Sequence, residues 1–405
     1  MLESKWNEYG YSFENRVVFQ PMEGCDCELD GSPSQLTIAK YLSFAKSGAA
    51  VIWFEANAVT PEGRTGKRQM MMTEQNIAAF QSLTSRVREL ALQESGFAPK
   101  LYIQLTHSGR QSMKPLIAFR NPLYEETRPL TDENIVSDDY LDSLPARFAQ
   151  SAVLAERAGF DGVDMKSCHG YLLQEMLSAF NRSGKYGGSF ENRSRLLLDC
   201  IAAIRAKVSP DFAIVSRIGI SDMIPKPYGF GTDEKGELDL TEPFKLVALL
   251  REAGVIIVNV TLGNPYYNPH VNRPFRVGAY TPPEKPEVGL NRFYTVGKAL
   301  KEKFPDMIFV GSGLSYYRDD LMQRAEALLK DCAYDLVGFG RETLAYPDFY
   351  KDWLAGNFSV KKCCVACSRC TQLMRHGGCA GCAIHNETYK KMYDEIVLNK
   401  NEKRG

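Results

Sequence analysis

The sequence predicts an α/β protein: a (β/α)8 TIM barrel with a small C-terminal cysteine-rich segment. Three observations lead there. Eight short apolar runs alternate with stretches of helical periodicity, the pattern of a parallel sheet closed on itself. The three longest connections, Ser108–Asp142, Ser221–Leu240 and Gly263–Arg292, all follow candidate strands, on the face where a barrel carries its catalytic loops. Six of the eleven cysteines crowd into Cys363–Cys382.

The strands come first. Arg16–Met22, Ala50–Ala56, Leu101–Leu105, Gly162–Met165, Ala213–Ile218, Ile256–Thr261, Ile308–Val310 and Tyr334–Gly338 are short and nearly all apolar. Strands covered on both faces read this way. Between them, Leu36–Ser47, Asn76–Leu92, Leu144–Ala158, Asn192–Val208, Glu242–Ala253 and Arg318–Lys330 space their apolar residues as helices do. An open doubly wound sheet is the competing arrangement. It calls for a G-x-G-x-x-G turn after the first strand, and Pro21-Met22-Glu23-Gly24-Cys25 lacks one. The barrel is assigned to residues 1–358, and the cysteine segment and tail to 359–405. Asn386–Gly405 is mostly charged and reads as an exposed helix or tail.

Composition narrows the function. Basic and acidic side chains balance at 49 each, so no cationic surface is expected for nucleic acid. Met1–Arg16 lacks the basic start and apolar core of a secretory signal. The longest apolar stretches, such as Ala49–Phe54, are too short to cross a bilayer. A cytoplasmic protein without a membrane partner is expected. There, a dense cysteine run reads as a metal site rather than a disulfide framework.

The strand tips carry the polar inventory. The first ends in Pro21-Met22-Glu23, and the third carries Gln104 and then His107. Lys166, Ser167, Cys168, His169, Gly170 and Tyr171 follow the fourth, and Arg217 lies on the fifth. The seventh ends in Gly311-Ser312-Gly313 and the eighth in Gly338-Phe339-Gly340-Arg341. Glycines after strands seven and eight let backbone N–H groups approach a phosphate, and Arg341 can add a bidentate contact. Gln104 and Arg217 point into the top of the barrel, where an amide and a guanidinium suit a flat heterocycle or a self-satisfied polar network.

Several segments resemble the old yellow enzyme family. They are Asn15-Arg16-Val17-Val18-Phe19-Gln20-Pro21-Met22, Gln104-Leu105-Thr106-His107-Ser108-Gly109-Arg110, Gly159–Asp164 with His169-Gly170-Tyr171-Leu172-Leu173, Asn181-Arg182 with Tyr186–Arg193, and Leu336–Arg341. The layout is similar to the barrel and cluster part of 2,4-dienoyl-CoA reductase. The resemblance implies FMN on the catalytic face. Pro21, Met22, Glu23, Ala56, Gln104 and Arg217 would lie around its ring, with Gly313, Gly340 and Arg341 at its phosphate. It implies Tyr171 as the proton donor to an alkene, and Lys166 and His169 as the pair holding the carbonyl oxygen. The family's usual pair is His-x-x-His or His-x-x-Asn, so Lys166 departs from the pattern and opens a carboxylate or bulkier acceptor as substrate. Glu23 stands where the family often has a small residue near the flavin C4 carbonyl; it can tune the flavin or point away. Tyr266, Tyr267, Phe275 and Tyr280 are candidate walls of the pocket.

In the cysteine run, Cys364, Cys367, Cys370 and Cys382 give C-x2-C-x2-C-x11-C, a spacing that can wrap one [4Fe–4S] cluster. Cys379 is an alternative fourth ligand, and a zinc knot is the alternative metal. No second dinucleotide-binding unit follows the segment. Electrons are therefore expected either from NAD(P)H bound directly over FMN or from an external redox partner. The function expected is an FMN-dependent ene-reductase acting on a small unsaturated carbonyl or carboxylic compound. A flavin-dependent amine dehydrogenase or demethylase, and a non-catalytic electron-transfer protein with a zinc-stapled tail, are the alternatives.

Overall fold

The computed structural model describes residues 1–399. A hairpin, β1 (Trp6–Glu8) and β2 (Tyr11–Phe13), precedes eight parallel strands. These are β3 (Val17–Phe19), β4 (Val51–Ala58), β5 (Lys100–Thr106), β6 (Gly162–Met165), β7 (Ala213–Ser221), β8 (Ile257–Leu262), β9 (Ile308–Gly311) and β10 (Leu336–Phe339). They close in the order β10-β3-β4-β5-β6-β7-β8-β9. The barrel expected from the sequence is therefore the fold, and each apolar run overlaps one of its strands.

Their apolar character follows from burial on both sides. Outward residues such as Phe19, Phe54 and Phe309 pack under the helices. Inward residues at the strand starts, among them Val18, Trp53, Val215 and Ile308, fill the barrel floor. Trp6 and Phe13 of the hairpin belong to that inner cluster, so the hairpin plugs the end of the barrel opposite the catalytic loops. Nothing in the periodicity of Met1–Arg16 marks this element.

Helix boundaries follow local capping. The helix expected from Leu144 begins at Asp138, because Ser137 accepts a bond from the Tyr140 N–H and starts it a turn and a half earlier. The helix Pro286–Lys303 overlaps the end of what reads as a long connection, and Pro286 supplies its first position.

Two irregularities aim side chains. The β4–β5 register shifts between Phe54 and Ala56, so Phe54 and Glu55 both meet the helix Gln35–Ala45. Phe54 stacks on Tyr41 at 3.7 Å between centroids, and Glu55 meets Lys40 at 2.6 Å. A bulge is the local solution when two consecutive residues must face the same layer. After β6, His169 and Gly170 take φ of 66° and 68°. This left-handed pair reverses the chain and returns Tyr171 to the barrel mouth. A non-glycine residue there stores about 1–3 kcal/mol of strain.

The cysteine segment lies across the catalytic face. Ala380 N–H donates to the Gly24 carbonyl at 2.7 Å, and Arg276 N–H donates to the Ala366 carbonyl at 3.0 Å. Arg375 donates to the Pro265 carbonyl at 2.8 Å. The segment thus bridges the loops after β3 and β8. Its tail is a helix, Glu387–Tyr393, but anchored rather than wholly exposed: Tyr389, Tyr393 and Val397 pack with Leu373 and Leu36. The tail expected beyond Asn399 falls outside the described residues. No helix among the described residues is long and apolar enough to cross a membrane.

Candidate active site

A cleft opens at the C-terminal ends of the barrel strands. The tips of five strands supply its lining: Pro21, Met22 and Glu23 after β3, Lys166, His169 and Tyr171 after β6, Arg217 on β7, Gly313 after β9, and Gly340 and Arg341 after β10. Ten of the candidate site residues are thereby gathered around one space. Ala56 and Gln104 are not among the lining residues. Ala56 is fully buried on β4, and the Gln104 amide donates to Asp164 at 2.6 Å.

That contact belongs to a polar floor beneath the cleft. Asp164 also accepts from the Trp53 indole at 3.0 Å and from the Arg217 backbone N–H at 2.5 Å. Burial pushes its carboxyl up to about 6, against the pull of these donors. Buried polar groups need partners, so the floor accounts for Trp53, Gln104 and Asp164 by mutual satisfaction.

Above it, cations gather. Lys166, Arg217, Arg273, Arg341 and Arg375 line the cleft, against one carboxylate, Glu23. Arg217 Nε and Arg341 Nη1 are buried without a hydrogen-bond partner among the described residues. Desolvation pulls the Arg217 guanidinium below its usual range, as it does Arg273, whose neighbour Arg341 adds repulsion and brings it down to about 10. Buried guanidinium groups left unpaired are costly. Their placement fits a planar acceptor at Arg217 and an anionic group at Gly313, Gly340 and Arg341, as FMN would present.

The fourth-strand tip is held in detail. The Tyr171 hydroxyl donates to Glu23 at 2.8 Å and lies 3.5 Å from the Tyr266 hydroxyl. Lys166 Nζ sits 3.9 Å from the Tyr171 ring centroid and 3.9 Å from Glu23. Asn272 donates to His169 Nε2 at 3.2 Å and to the Leu262 carbonyl at 3.1 Å. An acceptor Nε2 assigns the imidazole proton to Nδ1. Burial, reinforced by Arg217 and Lys166, holds His169 well below its usual range and so neutral. The Tyr171 phenol is held well above its usual range by burial and then by Glu23, and so keeps its proton.

Of the loop aromatics, only Tyr266 lines the cleft. Tyr280 hydrogen-bonds His270 at 2.6 Å and packs on Phe275, while Tyr267 packs on Tyr124. Sequence reasoning missed Asn272 and Arg273, which lie in a long loop without periodicity. It also missed Thr371, Met374 and Arg375, which roof the cleft from the cysteine segment.

Cys364, Cys367, Cys370 and Cys382 line a second, smaller cavity. Cys370, Arg341 and Leu344 line both it and the cleft. Cys379 instead packs among Leu373, Ala383, Tyr389 and Tyr393. Ala366 and Ser368 take positive φ of 52° and 59°, folding the Cys364–Cys370 loop around the cavity. No three His, Cys, Asp or Glu among the described residues are gathered as ligands of a single metal ion.

Residues 10–258 match the family of NADH:flavin oxidoreductases and NADH oxidases. An NADPH dehydrogenase of Bacillus pumilus is 28% identical over 362 residues, covering 86% of this chain and 93% of the relative. An NADH oxidase of Thermoanaerobacter brockii is 26% identical, covering 87% of this chain but only 50% of its own length. Among solved structures, 2-naphthoyl-CoA reductase with 2-naphthoyl-CoA superposes with a TM-score of 0.77 at 18% identity. The match spans 97% of this chain and 58% of that one. The old yellow enzyme homologue of Zymomonas mobilis superposes at 0.65 and 19% identity, covering 88% of this chain and 92% of that one.

Proposed function

Since the chain belongs to the NADH:flavin oxidoreductase / NADH oxidase family, we propose that its cleft reduces the carbon–carbon double bond of an α,β-unsaturated carbonyl or carboxylic compound. It is an FMN-dependent NAD(P)H oxidoreductase of the old yellow enzyme type. The observation that carries the finer reading is the convergence of Lys166, His169 and Tyr171 on one side of the cleft.

Arg217 would meet the polar edge of FMN, and Gly313, Gly340 and Arg341 its phosphate. Bound FMN supplies the hydride after reduction by NAD(P)H. The protein's own groups handle charge and protons. Lys166 and the His169 Nδ1–H are donors for the substrate's carbonyl oxygen, where negative charge develops. Tyr171, protonated and buried, is the acid that protonates the α carbon. The excess of cations in the cleft repels a protonated amine, which argues against the amine dehydrogenase alternative.

The labels of the two hydrogens test this. With 4-deuterated NAD(P)H, deuterium is expected at the β carbon of a reduced enone or enoate. In D2O with unlabelled coenzyme, it is expected at the α carbon. A panel of such acceptors that remain unreduced while NAD(P)H is oxidised by dioxygen would overturn the reading.

The cysteine cavity is the second part of the proposal: Cys364, Cys367, Cys370 and Cys382 hold an iron–sulfur cluster. What supports it is placement: these four cysteines line one cavity, and the positive φ of Ala366 and Ser368 folds the Cys364–Cys370 loop around it. The lining shared with the cleft would let an external redox partner feed FMN as an alternative to NAD(P)H. Anaerobically purified Cys382→Ser is expected to lose most of its iron and sulfide, while Cys379→Ser keeps about four of each per chain. Equal retention in both would show that Cys382 is not a ligand.

A further inference from the structure

The carboxylate of Glu23 has a place that the proposed reaction leaves unexplained. It lies on the loop after β3, yet it is the acceptor of the Tyr171 hydroxyl at 2.8 Å. Its other oxygen accepts from the Thr65 hydroxyl at 2.8 Å. Thr65 belongs to the loop after β4, so two loops fix the carboxylate between them. The next residue is pinned as well. Gly24 N–H donates to Glu55 at 2.6 Å, and its carbonyl accepts from Ala380 N–H at 2.7 Å. Glu55 is itself locked by Lys40 at 2.6 Å. Glu23 is therefore aimed by buried structure. Tyr171 is 2% exposed, whereas the Glu23 side chain retains 16%, so the carboxylate is the wetter of the two.

Proton donation by Tyr171 would leave a phenolate beside this carboxylate in a poorly hydrated pocket. Two anions at hydrogen-bond distance repel strongly there. Lys166 Nζ, 3.9 Å from the ring centroid, offsets only part of that. The difficulty disappears if Glu23 carries the proton that replaces the one Tyr171 loses.

We propose that Glu23 is a proton-relay and positioning residue for Tyr171, carrying protons from solvent to the buried hydroxyl. The inference rests on the assignment of Tyr171 as proton donor. In the reductive step, hydride supplied by the established flavin activity bonds to the β carbon, and the alkene pair moves toward the α carbon. The Tyr171 O–H bond breaks as the α C–H bond forms. The Glu23 O–H bond breaks as the Tyr171 O–H bond re-forms. Glu23 is left as a carboxylate, accepting from Tyr171 as in this structure, and takes its next proton from water. One proton crosses per alkene reduced. The groups facing Glu23 are Thr65 from the loop after β4, Lys166 and Tyr171 from after β6, Tyr266 from the loop after β8, and Cys25 on its own loop.

The test is the anaerobic reoxidation of NAD(P)H-reduced enzyme by an enone, followed against pH for wild type, Glu23→Gln, Glu23→Asp and Tyr171→Phe. FMN absorbance per chain confirms that each variant is folded. Wild type is expected to slow progressively as pH rises. Glu23→Gln is expected to be at least tenfold slower at the acid end and flat with pH. Glu23→Asp, which still titrates, is expected to be slower but to keep the slope. A Glu23→Gln enzyme as fast as wild type, or slower with the wild-type slope, overturns the relay, as does a flat profile in Glu23→Asp. If Tyr171→Phe is as fast as wild type, the proton-donor assignment fails first. If Tyr171→Phe is slow while Glu23→Gln matches wild type, only the relay fails.

Discussion

Replacing Tyr171 by Phe is expected to slow alkene reduction by about 10²- to 10⁴-fold, the usual contribution of a positioned general acid. The loss should fall on the step in which the alkene consumes the reduced enzyme. The substitution removes one oxygen and keeps the ring, so the packing against Lys166 and Tyr266 persists and FMN content per chain should match wild type. It also frees Glu23 from its contact with the hydroxyl. Stopped-flow reoxidation by an enone, alongside flavin absorbance, measures both quantities. A variant that binds FMN and reduces the enone at the wild-type rate would remove Tyr171 from the mechanism.

The second large effect is on stability. Lys40→Met is expected to cost about 3–5 kcal/mol, as expected when one partner of a buried ion cluster is removed. Lys40 lies between Asp26 at 2.9 Å and Glu55 at 2.6 Å, with all three side chains shielded from solvent. Methionine would fill the volume but leave two carboxylates facing one another. Burial already pushes the Glu55 carboxyl above the usual carboxylate range, with Lys40 pulling it down; without Lys40 it rises further. A carboxyl whose folded value is raised binds its proton more tightly in the native state. Its ionisation therefore destabilises the protein progressively as pH climbs through the interval between unfolded and folded values. The deficit of Lys40→Met relative to wild type should thus be largest at alkaline pH and shrink toward pH 5. Denaturation midpoints at pH 5, 7 and 9 measure it. A constant deficit would show that lost packing, not the uncompensated charge, sets the cost. Because Glu55 also holds Gly24, the variant should weaken FMN binding too.

The barrel and its strand tips were legible in the sequence because both depend on local pattern. A strand covered on both faces must be apolar whatever its neighbours are, so eight apolar runs mark eight strands. A residue at the end of such a run lies at the barrel mouth by connectivity alone. Hence Glu23, Lys166, His169, Tyr171, Arg217, Gly313 and Arg341 could be named as one site before any coordinates. The spacing of Cys364, Cys367 and Cys370 was equally local. The N-terminal hairpin was not legible, since two three-residue strands carry too little periodicity to stand out.

Local pattern in the chain thus carries the closed barrel, the residues at its mouth and the family. How those residues are partnered depends on the folded molecule. Nothing in the spacing between Glu23 and Tyr171 announces a 2.8 Å contact, because it depends on where two loops end in space. The surroundings of Cys379 and Cys382 are of the same kind. Both satisfy the motif, and packing against Tyr389 and Tyr393 takes Cys379 into a small core while Cys382 lines the cavity. Glu55 reads as one polar residue in an apolar strand until the bulge at β4 turns it toward Lys40. Periodicity reports which face a segment buries, whereas partnership requires distances between segments far apart in the chain, and those are fixed only when the whole barrel closes.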